Sequence, residues 1–114
     1  MPAGVYRYVL VPTPRVTLTL GGLKAGALGL GNRVAVKGTV KPSRLAGGKI
    51  RLTVERWKGR WAPVRIVTRA ISATRTYGWS YRPSARGAYR LRASIAKSAT
   101  NTSATTSWRK FRVK

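Results

Sequence analysis

Apolar and polar residues alternate along most of this chain with a period of two, the pattern of a β-strand that buries one face. Two such runs flank a turn. In the first, Tyr77, Trp79 and Tyr81 alternate with Gly78, Ser80 and Arg82. In the second, Tyr89, Leu91, Ala93 and Ile95 alternate with Arg90, Arg92 and Ser94. Between them, Pro83 fixes one backbone angle and Gly87 can take positive φ, so the chain can turn a corner. Further runs are found throughout the chain. Val16, Leu18 and Leu20 share one face of a strand over 15–20. Val34, Val36, Gly38 and Val40 share a face over 33–40, as do Ile50, Leu52 and Val54 over 49–57. Lys58-Gly59-Arg60 reads as a hairpin tip flanked by a cross-strand pair, Trp57 and Trp61. The return strand over 61–71 carries Pro63, which has no ladder donor and so predicts an edge strand or a bulge. A last strand over 105–114 puts Phe111 and Val113 inside, with Lys110, Arg112 and Lys114 outside. The Gly-rich stretch 21–32 and the segment 41–48 read as loops.

No stretch shows helical periodicity. The fold class expected is therefore all-β: an immunoglobulin-like, two-sheet antiparallel sandwich of about seven strands. Gly87-Ala88-Tyr89 at the start of the second run matches the corner of such sandwiches, where a Tyr ring packs inside and its hydroxyl ties the corner back. Residues 15–114 form the expected sandwich, with room for one core. Residues 1–14 hold a short strand over 4–11, ended by Pro12-Thr13-Pro14. Its Gly4-Val5-Tyr6-Arg7 echoes Gly87-Ala88-Tyr89-Arg90 at a spacing near that of one small sandwich module. The segment is either the tail of a preceding repeat or an extra edge strand of this domain.

Charge changes the picture most. The chain has 114 residues, 24 Lys+Arg against a single acidic residue, and a formal net charge of +23. Such a field repels itself unless anions screen it, which points to polyanionic partners: anionic cell-wall polymer, nucleic acid or anionic lipid. There is no Cys and no His, so disulfides, thiol chemistry and the common zinc sites are excluded. With Glu55 as the one carboxylate, no acid–base pair can form, and no enzyme activity and no cofactor are expected. No apolar run approaches the roughly 18 residues of a membrane helix, and no signal peptide is visible.

If the runs over 49–57, 61–71, 88–95 and 105–114 share one sheet, their outward residues form a basic face. Its expected members are Lys49, Arg51, Arg65, Arg69, Arg90, Arg92, Lys110, Arg112 and Lys114. Opposed like charges destabilise a ladder, Glu55 can relieve only one or two of them, and a bound polyanion would relieve the rest. The opposite sheet shows fewer charges: Thr17, Thr19, Ala35, Lys37, Ser80 and Arg82. Trp57 and Trp61 can either pin their hairpin or stack on a ligand. Trp79 is expected in the core, and the pattern leaves Trp108 unassigned. Because aromatics alternate into core positions, the pattern weighs against nucleic acid, where bases would need aromatics on the basic face. Asn101-Thr102-Ser103 matches the N-glycan acceptor pattern, a short and unspecific motif.

Several stretches resemble a known family: 34–42 (VAVKGTVKP), 49–56 (KIRLTVER), Gly59-Arg60-Trp61, 79–83 (WSYRP) and 87–93 (GAYRLRA). They resemble the bacterial immunoglobulin-like repeats of secreted and cell-wall-associated proteins, especially actinobacterial ones, over roughly residues 15 to 114. The resemblance implies a non-catalytic spacer, adhesion or wall-contact unit, extracellular or in the cell wall, in tandem with further domains. It implies no active site. The charge departs from the usual repeat, which speaks against a pure spacer.

Overall fold

The computed structural model describes residues 14–41, 48–97 and 102–114. The strand expected over 4–11, most of the 41–48 turn and Asn101 lie outside the described residues. The described residues are all-β, with ten strands in two sheets packed face to face as a sandwich. They are β1 (Arg15–Val16), β2 (Thr19–Gly21), β3 (Ala27–Leu28), β4 (Val34–Lys41), β5 (Lys49–Trp57), β6 (Trp61–Ala70), β7 (Thr76–Tyr81), β8 (Gly87–Ile95), β9 (Ala104–Thr105) and β10 (Arg109–Val113).

In the smaller sheet, β4 pairs with β1 and β2 on one side and with β7 on the other. The larger sheet runs β3-β10-β8-β5-β6, with β9 also on β8. The core lies between them. Leu18, Val34, Val36 and Val40 face Ile50, Leu52, Val54, Leu91 and Val113, all 2% exposed or less. An aromatic row crosses the core: Trp79 stacks on Tyr81 at 5.2 Å, Tyr81 meets Tyr89 edge-on at 6.5 Å, and Tyr89 stacks on Phe111 at 5.3 Å. Trp79 is only partly buried, packing against the core from its margin.

Ten strands replace the seven expected for three local reasons. The first strand is split into β1 and β2 at Thr17-Leu18. The Gly-rich stretch is more than a loop, because Leu28 is 2% exposed and anchors β3. The β3–β10 pairing is parallel, the one exception among the antiparallel pairings of the described residues. The last run divides because its register slips: Thr105 faces Ser94, while Arg109 faces Leu91. The extra residue makes a bulge, in which the Thr106 hydroxyl accepts the Ala93 N–H at 3.0 Å. β6 is the sheet edge, and its pairing with β5 shifts register beside Pro63, so both readings of that proline hold.

Two tyrosines hold the sheets in place. Tyr89, 2% exposed, donates its hydroxyl to the Ala85 carbonyl at 2.6 Å and closes the corner as expected. Arg56 clamps the same corner from β5, its Nε and Nη2 donating to the Arg86 carbonyl at 3.2 and 2.6 Å. In the smaller sheet, Tyr77 faces Gly38 across the ladder and donates to the Thr17 carbonyl at 2.6 Å. A Cβ on Gly38 would collide with the Tyr77 ring and hydroxyl and with the Thr17 carbonyl. The Thr39 N–H turns instead to the Thr17 hydroxyl at 2.8 Å. The Val-x-Val-x-Gly-x-Val pattern of β4 therefore needs its glycine, because a partner strand's ring fills that inward position.

Gly38→Ala is expected to cost about 3 kcal/mol or more, the upper end for overpacking a core, measured by chemical denaturation. Tyr89→Phe keeps the ring and loses one hydrogen bond, for an expected cost of about 0.5–1.5 kcal/mol. Burial raises the Tyr77 phenol to a pKa of about 12 from the ordinary 10.0. A raised folded-state pKa means the unfolded chain loses this proton first, so its stabilisation is complete below pH 10 and falls as pH rises from there toward 12. Base denaturation of Tyr77→Phe should therefore show a shallower loss of stability across that window than the parent chain.

Candidate anion-binding face

The outer face of the larger sheet follows from its registers, because residues directly opposite in a ladder share a face. β8 is the reference, with Leu91 and Ala93 inward and Arg90 and Arg92 outward. Lys110 lies opposite Arg90, and Arg112 opposite Ala88. On the other side, Glu55 lies opposite Arg90, Thr53 opposite Arg92 and Arg51 opposite Ser94. Lys49, Arg51, Lys110, Arg112 and Lys114 are exposed, and Arg90 and Arg92 are half-buried. Seven of the nine expected basic residues thus share this face.

Arg65 and Arg69 do not. Arg65 lies opposite Val54 and Arg69 opposite Ile50, both core residues, so the two arginines project toward the inner side of β6. They stay exposed because β6 is the edge of the larger sheet. Arg65 also acts on the Tyr81 phenol of the opposite sheet: burial, then Tyr89, raise that group, and Arg65 opposes them. The expectation failed because alternation was counted straight through the bulge beside Pro63, and a bulge exchanges the two faces of a strand.

The centre of the face is a stack of tryptophans and arginines. Glu55 Oε1 accepts from Arg90 Nε at 2.8 Å and Nη2 at 2.6 Å, with the side chains only 16% and 22% exposed. The Arg90 guanidinium lies 4.6 Å from the Trp61 ring centre and 4.0 Å from that of Trp108. Arg92 lies 4.3 Å from the Trp108 ring. Trp57 meets Trp61 edge-on at 5.4 Å across the hairpin, so the pair pins that turn, yet Trp57 remains 50% exposed. Trp108 reaches this face because it shares its phase along the chain with Lys110 and Arg112, and Lys110 lies opposite Arg90. Three of the four tryptophans therefore lie on the basic face, contrary to the expectation that the aromatics turn inward. Trp57 and Trp61 are the hairpin pair already named as candidate ligand contacts, and Trp108 is the tryptophan that the pattern leaves unassigned.

The stack separates two kinds of cation. Arg90 is held by a carboxylate and two indoles, and Arg56 by the corner carbonyl; their ordered role is structural. Arg92 lies over Trp108 and has no carboxylate partner, so its guanidinium donors are open to an anion. Lys49, Arg51, Lys110, Arg112 and Lys114 have no carboxylate on this face, since Glu55 is already paired. An open depression of about 580 Å³ lies over Ala88, between Trp61 and the side chains of Lys110, Arg112 and Lys114. Like-charged side chains around a hollow focus a positive potential into it. Among the described residues, no helix is long and apolar enough to cross a membrane.

Comparison of the sequence with protein-family models and with curated proteins finds no match.

Glu55→Gln is expected to destabilise the chain by roughly 1–2 kcal/mol, between the values for exposed and buried ion pairs, because Arg90 loses its only opposite charge. Arg112→Gln, at an exposed position, should stay within about 0.5 kcal/mol of the parent. Thermal denaturation of the two variants side by side tests this division between held and free cations.

Proposed function

We propose that this chain is a non-catalytic sandwich module whose larger sheet binds a polyanion through its outer face. We further propose that it belongs to a bacterial surface or secreted protein, with anionic cell-wall polymer as the ligand. One observation carries the reading: the face gathers Lys49, Arg51, Arg92, Lys110, Arg112 and Lys114 around a carboxylate that is already paired with Arg90. Binding a phosphate polymer there relieves cross-strand repulsion and releases the polymer's condensed counterions. The resemblance to wall-associated repeats supports the choice of polymer.

The second reading is nucleic acid, favoured by Trp57, half-exposed beside Lys58 and Arg60, where a base could stack. Against it, Trp61 and Trp108 already have arginines on their rings.

The test is a titration of the purified chain with glycerol-phosphate wall polymer, duplex DNA and an uncharged glycan, each at low and moderate salt. The expected result is binding to wall polymer that weakens steeply with salt and exceeds binding to DNA. Replacing Lys110, Arg112 and Lys114 together by Gln should lower the affinity and flatten the salt dependence by about 0.7 in log–log slope per lost contact, as for flexible single strands. A preference for DNA would promote the second reading. Failure to bind any of the three at low salt would sink the proposal and leave a spacer.

A further inference from the structure

Resting on the reading of this face as a polyanion surface, we propose that one rung of the larger sheet is a discrete subsite for a tetrahedral phosphate group. The rung is Thr105–Ser94–Arg51–Thr68, with Lys49 beside it. Ser94 lies opposite Thr105 on β9 and opposite Arg51 on β5, and Arg51 lies opposite Thr68 on β6. Four strands therefore present hydroxyl, hydroxyl, guanidinium and hydroxyl in one row on the outer face. Neighbouring Cβ atoms in such a row are about 4.5–5.5 Å apart, close enough for adjacent side chains to hold one small anion. Lys49 follows two residues before Arg51 on the same side of β5. These residues, with Ser103, line an open depression of about 360 Å³, apart from the one over Ala88.

Three hydroxyls in one row set this end of the face apart. Several others are used within the fold: Thr17 bonds Thr39 at 2.8 Å, Ser72 bonds Thr76 at 2.9 Å, and Thr106 takes the Ala93 N–H. Among the described residues, those of Thr68, Ser94 and Thr105 have no hydrogen-bond partner. Thr105 faces outward only because of the register slip before β10; unbroken alternation back from Phe111 would have turned it to the core. A guanidinium fork satisfies two oxygens, as many as a carboxylate has. Flanking hydroxyls add donors for the further oxygens of a phosphate group, which a carboxylate lacks. The subsite thus discriminates between anions of equal charge by shape, beyond what net charge can do.

The test removes hydroxyls and leaves the charge untouched. Ser94→Ala/Thr105→Val would be compared with the parent chain for binding to inorganic polyphosphate and to polyglutamate, matched in charge and salt, with melting temperatures confirming the fold. We expect about a tenfold loss of polyphosphate affinity, the size of one to two charge-assisted hydrogen bonds, with polyglutamate affinity changed less than about twofold. Titration with inorganic phosphate should move the amide resonances of Ser94 and Thr105 ahead of that of Ala88. If polyphosphate binds the parent and the variant alike, or if both polymers lose equally, the subsite is overturned while the basic face stands. If neither polymer binds the parent chain at low salt, the reading of the face itself has failed, and the subsite with it.

Discussion

The placement of β8 between β5 and β10 is the constraint from which the other features of the molecule follow. Opposed residues in an antiparallel ladder must share a face, so once Leu91 and Ala93 are committed to the core, Arg90 and Arg92 are committed to the outside. The same pairing puts Glu55 against Arg90 and Arg51 against Ser94. The corner that feeds β8 is held from two directions: the Tyr89 hydroxyl on Ala85, and Arg56 on the Arg86 carbonyl. A slip of one residue there would invert every side chain of the central strand, burying arginines and exposing leucine. The tyrosine and the arginine at the corner guard against that slip.

A chain with 24 cations and one carboxylate has an unusual problem of internal repulsion. The fold meets it by giving arginines partners that are not acids. A backbone carbonyl takes Arg56, indole rings take Arg90 and Arg92, and the single glutamate is spent where two arginines and two tryptophans converge. Guanidinium groups suit this better than ammonium groups would, since they are planar, weakly hydrated and able to stack. What remains is a set of exposed cations around that centre, with a spacing set by strand register.

The smaller sheet is arranged differently. Its outward side carries Lys37 and the opposed pair Arg15 and Lys41, and its inward side relies on one close fit, Tyr77 across Gly38 to Thr17, where the edge strand divides. The two outer faces thus differ in kind: the larger sheet centres on the paired Glu55 and Arg90, and the smaller has threonines bonded to its own backbone and to each other.

Period-two alternation, the turn residues and the Gly-x-Tyr corner were enough by themselves to determine an all-β sandwich, the inward residues of β4, β5, β8 and β10, and the outward basic residues of β5, β8 and β10. These are local properties, since each strand carries its own record of which side is buried. Register is a relation between strands, and it was decided only in the tertiary structure. The bulge beside Pro63 turned Arg65 and Arg69 away from the basic face, and the bulge after Thr105 brought Thr105 onto it. Leu28 likewise became an anchor for β3 only because β10 offered a parallel partner. The pairing of Glu55 with Arg90, which removes one expected anion ligand from the face, needed two strands 35 residues apart in sequence to meet. No alternation within either strand could specify that meeting.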